Sequence, residues 1–204
     1  MTLFITFEGG EGSGKSAQSR ALYKKLMQLF IPVILTHEPG GTPLGNKTSR
    51  LLKWAKADIS PLTELLLFNA SRAQLVDGVI KPNLAKGKVV IIDRYTDSTA
   101  AYQGYGRGLD FEMVKTINKA ATQGVKPDLT VLLDMPSEEG LGRKKARKRD
   151  RFEKENLIFH QKVRQGYLKL AADEPQRWLV VDAMQSKVKV AEVIWQRVSK
   201  LLPG

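Results

Sequence analysis

The glycine-rich segment GGEGSGKS at residues 9–16 constrains the fold most. It matches G-x-x-x-x-G-K-[ST] at every fixed position, and it stands between a predicted strand at residues 3–7 and a predicted helix from about Lys15 to Phe30. Glycines let successive backbone N–H groups converge on a phosphate, and the following helix points its N-terminus at the same anion. We therefore predict a nucleotide-phosphate loop, or P-loop, made of Gly9, Gly10, Glu11, Gly12, Ser13, Gly14, Lys15 and Ser16. Lys15 is expected to bridge the β- and γ-phosphates of ATP, and Ser16 to ligate Mg²⁺.

Strand and helix signals alternate along the rest of the chain. Further strands are predicted at 32–36, 88–92, 129–134 and 178–182. Further helices are predicted at about 44–54, 61–80, 111–122, 153–172 and 188–201. Strands rich in Val, Ile and Leu that alternate with helices indicate a parallel sheet covered on both faces. Because no internal repeat or Gly/Ser linker interrupts the pattern, we expect residues 1–204 to form one α/β domain with about five strands.

Composition excludes several classes of site. The chain has no cysteine, which excludes a disulfide framework, a Cys-ligated metal and a thiol nucleophile, and its two histidines make a His-rich metal site improbable. Met1 is followed by no basic segment or small-residue cleavage site, and no apolar run approaches the roughly 20 residues that span a bilayer. The sequence thus predicts a cytoplasmic protein without a membrane partner.

Positive charge is concentrated in one segment. Residues 143–151 hold seven basic residues and one acidic residue, and so carry half of the net charge of +12. The segment follows the strand at 129–134 and precedes a long helix, where a phosphotransferase with a P-loop needs a lid that closes over phosphates. We predict a lid at about residues 141–152. A solvated basic face or a nucleic-acid patch is the alternative interpretation of the same charges.

Polar residues also cluster after the strand at 88–92. Asp93 and Arg94 stand at its C-terminal end, where ligands gather in open α/β sheets, so Asp93 is predicted to serve Mg²⁺ and Arg94 a phosphate. Ser98, Tyr102 and Gln103 follow at helix-like spacing. On pattern alone, these residues also fit an ion pair at a strand end and an ordinary helix start.

Phe68 and Arg72 are four residues apart and so share one face of a predicted helix. An aromatic ring beside a guanidinium suits base recognition, since one stacks and the other donates hydrogen bonds. From the pattern alone, a core Phe and a solvated Arg are the simpler interpretation.

Taken in order, these motifs resemble bacterial thymidylate kinases from Phe4 to Leu202. The matching segments are FEGGEGSGKS at 7–16, EPGGT at 38–42, LFNASRAQ at 67–74, DRYTDSTAAYQG at 93–104, PDLT at 127–130 and DRFE at 150–153. The resemblance implies a P-loop kinase that transfers phosphate from ATP, with Mg²⁺, to dTMP. It also implies a homodimer. Because the charge is concentrated in residues 143–151, which contain no aromatic residue, we expect no nucleic-acid partner.

The resemblance assigns roles to individual residues. Phe68 would stack on thymine and Arg72 would hydrogen-bond it, while Arg94 would bind the monophosphate and Glu11 would face the deoxyribose. The remaining members of the implied substrate site are Glu38, Ser98, Tyr102 and Gln103. Since the P-loop contains no arginine, the lid would supply the catalytic arginine from Arg147, Arg149 or Arg151.

Two positions depart from the family pattern. His37 stands where the family often has Arg before Glu38, and Ser49 stands where it often has another Arg. The neighbouring Arg50 is about 100° further round the helix, so it does not inherit the phosphate-binding role directly. Two alternative functions fit the same motifs. One is a kinase for another deoxynucleotide or for a deoxynucleoside, and the other is a P-loop ATPase that binds nucleic acid.

Overall fold

A five-stranded parallel sheet forms the centre of the molecule. The computed structural model describes residues 2–143 and 149–202. Its strands are β1 (Leu3–Glu8), β2 (Val33–His37), β3 (Val89–Asp93), β4 (Leu129–Asp134) and β5 (Trp178–Asp182). They pair in the order β2-β3-β1-β4-β5, with Ile5 of β1 opposite Ile91 on one side and Leu129 on the other. The predicted parallel sheet of about five strands is confirmed.

Helices connect the strands. They are α1 (Lys15–Gln28), α2 (Pro43–Trp54), α3 (Pro61–Leu75), α4 (Lys81–Ala85), α5 (Thr96–Thr99), α6 (Phe111–Thr122), α7 (Ser137–Gly142), α8 (Leu157–Asp173) and α9 (Lys187–Ser199). Two π-helical segments, π1 (Val76–Ile80) and π2 (Ala100–Gly106), continue α3 and α5 directly. Within the described residues, no helix combines the length and the apolar character that crossing a membrane requires.

Alternation along β1 builds a core on each face of the sheet. Ile5 and Phe7 point to the face covered by α1 and α9, where Leu26 and Ile194 belong to the same buried cluster. Phe4 points to the other face and packs with side chains of α3, π1 and β3. The central strand is buried along its whole length, as the apolar pattern predicts for a strand covered on both faces.

One helix start was predicted wrongly. The sequence pattern places the start of the long helix at about Glu153, whereas α8 begins at Leu157. The Asp150 carboxylate accepts the backbone N–H groups of Phe152 and Glu153, which holds that segment in turns, and the Asn156 side chain caps the helix by accepting from Phe159 N at 2.9 Å. The helix predicted at 61–80 is divided into α3, which ends at Leu75, and π1, which ends at Ile80. The other predicted boundaries lie within two residues of those observed. The predicted helices do not include α4, α5, π2 or α7.

Candidate active site

The P-loop connects β1 to α1 at the C-terminal edge of the sheet. Gly14 has φ +93 and caps α1, whose first residue is Lys15. The Lys15 amine donates to the carbonyl oxygens of Gly9 at 3.0 Å and Gly10 at 2.7 Å, and it is nearly buried. Burial, reinforced by the Arg94 charge, lowers the pKa of Lys15 to about 8. The loop therefore holds a compact cation at the N-terminus of a helix, as a site for nucleotide phosphates requires.

Glycine is needed where the P-loop meets α7. Gly12 has φ +69, and a Cβ atom there would overlap the carbonyl oxygen of Gly140. A Cβ atom on Gly140 would in turn overlap the carbonyl oxygen of Glu11. The two backbones are thus in direct contact, and α7 leads straight into the predicted lid segment.

Ser16 and Asp93 come together beside Lys15, although 77 residues separate them in sequence. The Ser16 hydroxyl donates to the Asp93 carboxylate. A hydroxyl and a carboxylate fit Mg²⁺, which usually takes one or two protein oxygens and completes its shell with water and phosphate oxygens. Among the described residues, no group of three or more His, Asp and Glu side chains could hold a metal alone. The two predicted ligands therefore suit a metal that shares its shell with a nucleotide.

Arg94 adopts a strained backbone and a densely bonded side chain. Its φ of +72 is rare for a residue with a Cβ atom, and two backbone hydrogen bonds hold it: Arg94 N to Phe7 O at 3.0 Å and Tyr95 N to Glu8 Oε1 at 2.7 Å. The guanidinium donates to Glu11 Oε1 at 2.6 Å and to the Tyr102 hydroxyl at 3.2 Å. Three longer bonds reach Gly9 O, Ser98 Oγ and the Tyr167 hydroxyl.

Glu8 is a buried residue of the site that the sequence analysis does not single out. Its fully buried carboxylate accepts Tyr95 N–H through one oxygen, and the hydroxyls of Ser98 at 2.6 Å and Tyr167 at 2.9 Å through the other. Both hydroxyls also contact the Arg94 guanidinium. Burial, together with the Asp97 charge, raises the pKa of Glu8 to about 7. Its position directly before the first P-loop glycine, inside the matching segment at 7–16, was the available signal.

Several cavities open at this edge of the sheet, and two of them hold most of the predicted side chains. The aromatic cavity has a volume of about 80 Å³ and contains most of the predicted substrate residues. Those lining it are Glu11, Glu38, Phe68, Arg94, Ser98, Tyr102 and Gln103. The structure adds Pro39, Lys53, Thr99, Asp150 and Phe152, which were not predicted. The π-helical widening at π2 lets the consecutive residues Tyr102 and Gln103 both reach this cavity, and such widenings are frequent at functional sites.

The P-loop cavity, of about 400 Å³, lies next to the first. Lys15, Ser16 and Asp93 line it, together with His37, one of the two departures from the family pattern. Arg50 is exposed and does not line either cavity. The P-loop cavity thus holds the predicted phosphate and metal groups, and the aromatic cavity holds the predicted base pocket.

Arg72 does not line the aromatic cavity with Phe68. It is fully buried, and its guanidinium pairs with Glu38 at 2.7 Å and donates to Asn118 Oδ1 at 2.8 Å and to Tyr95 O at 3.0 Å. Glu38, its partner, does line the cavity. Arg72 therefore lies one layer behind the cavity wall and supports Glu38.

Two buried acceptors in the cavity wall have no donor within the described residues. They are Glu38 Oε1 and Gln103 Oε1, while Gln103 Nε2 donates to Glu64 Oε1 at 2.6 Å. Burial raises the pKa of Glu38, and the Arg72 charge opposes that rise. Because buried polar atoms are normally satisfied, these oxygens suit a ligand that brings N–H or O–H donors.

The lid arginines differ in their surroundings. Arg151 donates to Leu52 O at 3.0 Å and pairs with the buried Glu64 carboxylate at 2.5 Å. Its guanidinium is therefore bound to α2 and α3. Arg149 has a buried Nε with no acceptor among the described residues. Arg147 lies outside the described residues.

Comparison with known proteins agrees with this geometry. The family model for thymidylate kinase matches residues 7–194. The chain is 58% identical to the thymidylate kinase of Dehalococcoides mccartyi strain CBDB1 over 203 residues, covering 99% of this chain and 98% of that protein. It is 52% identical to the thymidylate kinase of a Synechococcus strain, with 98% and 96% covered.

The chain belongs to the thymidylate kinase family. A crystal structure of the thymidylate kinase from Ehrlichia chaffeensis superposes with a TM-score of 0.80 at 34% identity, covering 97% of this chain and 98% of that one. Membership of the family, and the P-loop kinase fold, are therefore confirmed. The individual site residues stay predictions that rest on the geometry above.

Proposed function

We propose that this chain transfers the γ-phosphoryl group of ATP to the 5′-phosphate of dTMP. The observation that carries the proposal is the junction of the two cavities at Arg94. An aromatic cavity with two unpaired acceptors lies on one side of that guanidinium, and a P-loop lies on the other. A nucleoside monophosphate bound across the junction would have its base in the aromatic cavity and its phosphate facing the P-loop.

The acceptor phosphate would be bound and aligned by Arg94. Glu11 and Glu8 position that guanidinium, the first by direct pairing and the second through the backbone of Tyr95 and two hydroxyls. A phosphate is already ionised at neutral pH, so no strong general base is required. Catalysis then consists mainly of alignment and charge stabilisation.

The donor side would be held by the P-loop. Lys15 and the N-terminus of α1 would bind the ATP phosphates, and Ser16 and Asp93 would hold Mg²⁺. The metal, when bound, supplies neutralisation of phosphate charge. The lid would contribute Arg147 or Arg149 to the transferred phosphoryl group, because Arg151 is engaged by Glu64.

We further propose a homodimer formed through α2 and α3, which pack side by side. Large apolar side chains are exposed on this pair of helices, namely Leu44, Leu51, Trp54, Leu62 and Leu66, each between 42% and 57% accessible. Their spacings of three, four and seven residues place neighbours on shared helix faces. A cytoplasmic location stays a prediction from the sequence.

A coupled ADP-release assay across nucleoside monophosphates and thymidine tests the activity. We expect dTMP to give the highest kcat/KM and dUMP the second, lower by about 10- to 200-fold, since one methyl-sized group in a pocket discriminates by only that much. If AMP, CMP or thymidine were the best acceptor, the proposal would be wrong.

A further inference from the structure

Three residues line both the aromatic cavity and the P-loop cavity. They are Glu38, Lys53 and Arg94. Any nucleotide that crosses from one cavity to the other passes these side chains, and two of them are cations. Arg20 also lines the P-loop cavity but not the aromatic one. The cations at the junction are therefore Lys53 and Arg94, and of these two the family motifs identify Arg94 alone.

The Lys53 amine differs from its two neighbours in the junction because it makes no hydrogen bond or ion pair within the described residues. Arg94 is paired with Glu11, and Glu38 is paired with Arg72. Within the described part of the chain, no hydrogen bond or ion pair engages the Lys53 amine. Its side chain is half-buried, and its charge acts on Asp150, whose pKa is raised by burial and lowered in part by Lys53. A cation without a hydrogen bond among the described residues thus lines the junction, and its described electrostatic neighbour is Asp150.

Lys53 lies one helical turn after Ser49 on α2, and helix geometry lets its side chain reach the junction. Ser49, one turn before Lys53 on α2, is the position where the family often carries an arginine, and Arg50 is exposed. Residues four apart share a helix face, and a lysine side chain is long enough to extend along that face. Lys53 can therefore bring a positive charge to the region that Ser49 leaves uncharged.

The lid segment is attached to the same turn of α2. Arg151 N donates to Lys53 O at 3.2 Å, and Arg151 Nε donates to Leu52 O at 3.0 Å. The last turn of α2 is thereby fixed to Arg151, near the end of the predicted lid. This anchoring holds the Lys53 backbone at the edge of the junction.

We propose that Lys53 binds the 5′-phosphate of the acceptor nucleotide beside Arg94. The proposal rests on the proposed function and extends it with a second phosphate-binding cation. A charge-assisted contact made to the acceptor in both the ground state and the transition state changes KM more than kcat.

The test compares Lys53→Met, Lys53→Arg and Lys47→Met with the wild type in ATP:dTMP kinetics. We expect Lys53→Met to raise the KM for dTMP about 10- to 100-fold, with kcat within about threefold and the KM for ATP unchanged. Lys53→Arg should recover most of the loss. Lys47 is an exposed lysine on the same helix, so Lys47→Met makes the same chemical change and should behave as wild type.

Thymidine, which lacks the phosphate, separates phosphate binding from pocket shape. Its inhibition constant against dTMP should stay within twofold in Lys53→Met, and that result also shows that the variant is folded. An unchanged KM for dTMP, or an equal loss for thymidine and dTMP, would overturn the proposal. If the wild-type protein did not phosphorylate dTMP at all, the proposed function would fail instead, and the two failures are distinct.

Discussion

Glu8 and Tyr167 form a hydrogen bond of 2.9 Å between residues 159 positions apart, from the end of β1 to α8. The same carboxylate oxygen accepts the Ser98 hydroxyl, and the other oxygen accepts Tyr95 N–H. Three groups around Arg94 are thus tied to one buried acid: the Tyr95 backbone and the Ser98 and Tyr167 hydroxyls. This arrangement explains how a residue with φ +72 keeps a fixed side chain in the site.

Burial of Glu8 makes stability depend on pH. Its pKa is about 7 in the folded chain and 4.5 unfolded, so between these values the native state holds a proton that the unfolded state releases. Stability from this group is present below pH 4.5 and is lost as pH rises to about 7. In Glu8→Gln the free energy of unfolding should not show this loss, which amounts to about 3 kcal/mol at most in the wild type.

Urea unfolding of wild type and Glu8→Gln from pH 4 to 8 measures the difference. The exposed substitution Glu139→Gln serves as the control and should leave the wild-type profile unchanged. Parallel profiles for wild type and Glu8→Gln would show that Glu8 does not titrate in this range.

The Lys15 ammonium should be essential for turnover. Lys15→Met keeps the length of the side chain and removes its charge, so we expect a hundredfold or greater loss of kcat with an unchanged circular dichroism spectrum. Near-normal turnover would contradict the P-loop role.

A pH dependence follows from the lowered pKa of Lys15, about 8 in the free chain. The protonated form binds phosphate, so kcat/KM for ATP should fall as pH rises through about 8. Lys15→Arg stays charged, and its residual kcat/KM should lack this fall. The same fall in both proteins would assign it to another group.

The lid arginines should separate into two kinds. Replacing Arg147, Arg149 and Arg151 together by Gln is expected to lower kcat by ~10³ or more, in the range of arginine fingers. The double variant with Arg147 and Arg149 replaced by Gln should show most of this loss of kcat. Its melting temperature should stay unchanged.

Arg151→Gln alone should act on stability. It removes one of the cations that pair with the buried Glu64 carboxylate and leaves Arg107, at a cost of about 1–3 kcal/mol. Melting curves and steady-state kinetics on both variants distinguish the two kinds. A stable Arg151→Gln with lost turnover would give that residue the catalytic role instead.

The apolar faces of α2 and α3 should form the dimer contact. A double change of Trp54 and Leu66 to Glu places charges at the proposed contact, and analytical ultracentrifugation should then show monomers at concentrations where the wild type is dimeric. Phe30, which is 93% exposed at the end of α1, gives a matched control, since Phe30→Glu should leave the dimer intact. A monomeric wild type would contradict the homodimer proposal.

The sequence alone determined the fold class and the P-loop. Both depend on local signals: the fixed spacing of residues 9–16, the alternation of strand and helix patterns, and strands apolar on both faces. Parallel strands end at one edge of a sheet, so the positions of Asp93 and Arg94 beside the P-loop also followed. Such features can be predicted without knowing which distant segments of the chain contact each other.

Tertiary structure decided which side chains share a cavity. Phe68 and Arg72 lie one turn apart on α3, yet the ring lines the cavity and the guanidinium lies behind it, because Glu38, Asn118 and Tyr95 compete for its donors. Periodicity assigns a helix face but not the depth of each residue within the packed layers. Lys53, Tyr167 and the Arg151–Glu64 pair reach their positions through contacts between segments far apart in sequence, and local spacing carries no information about such contacts.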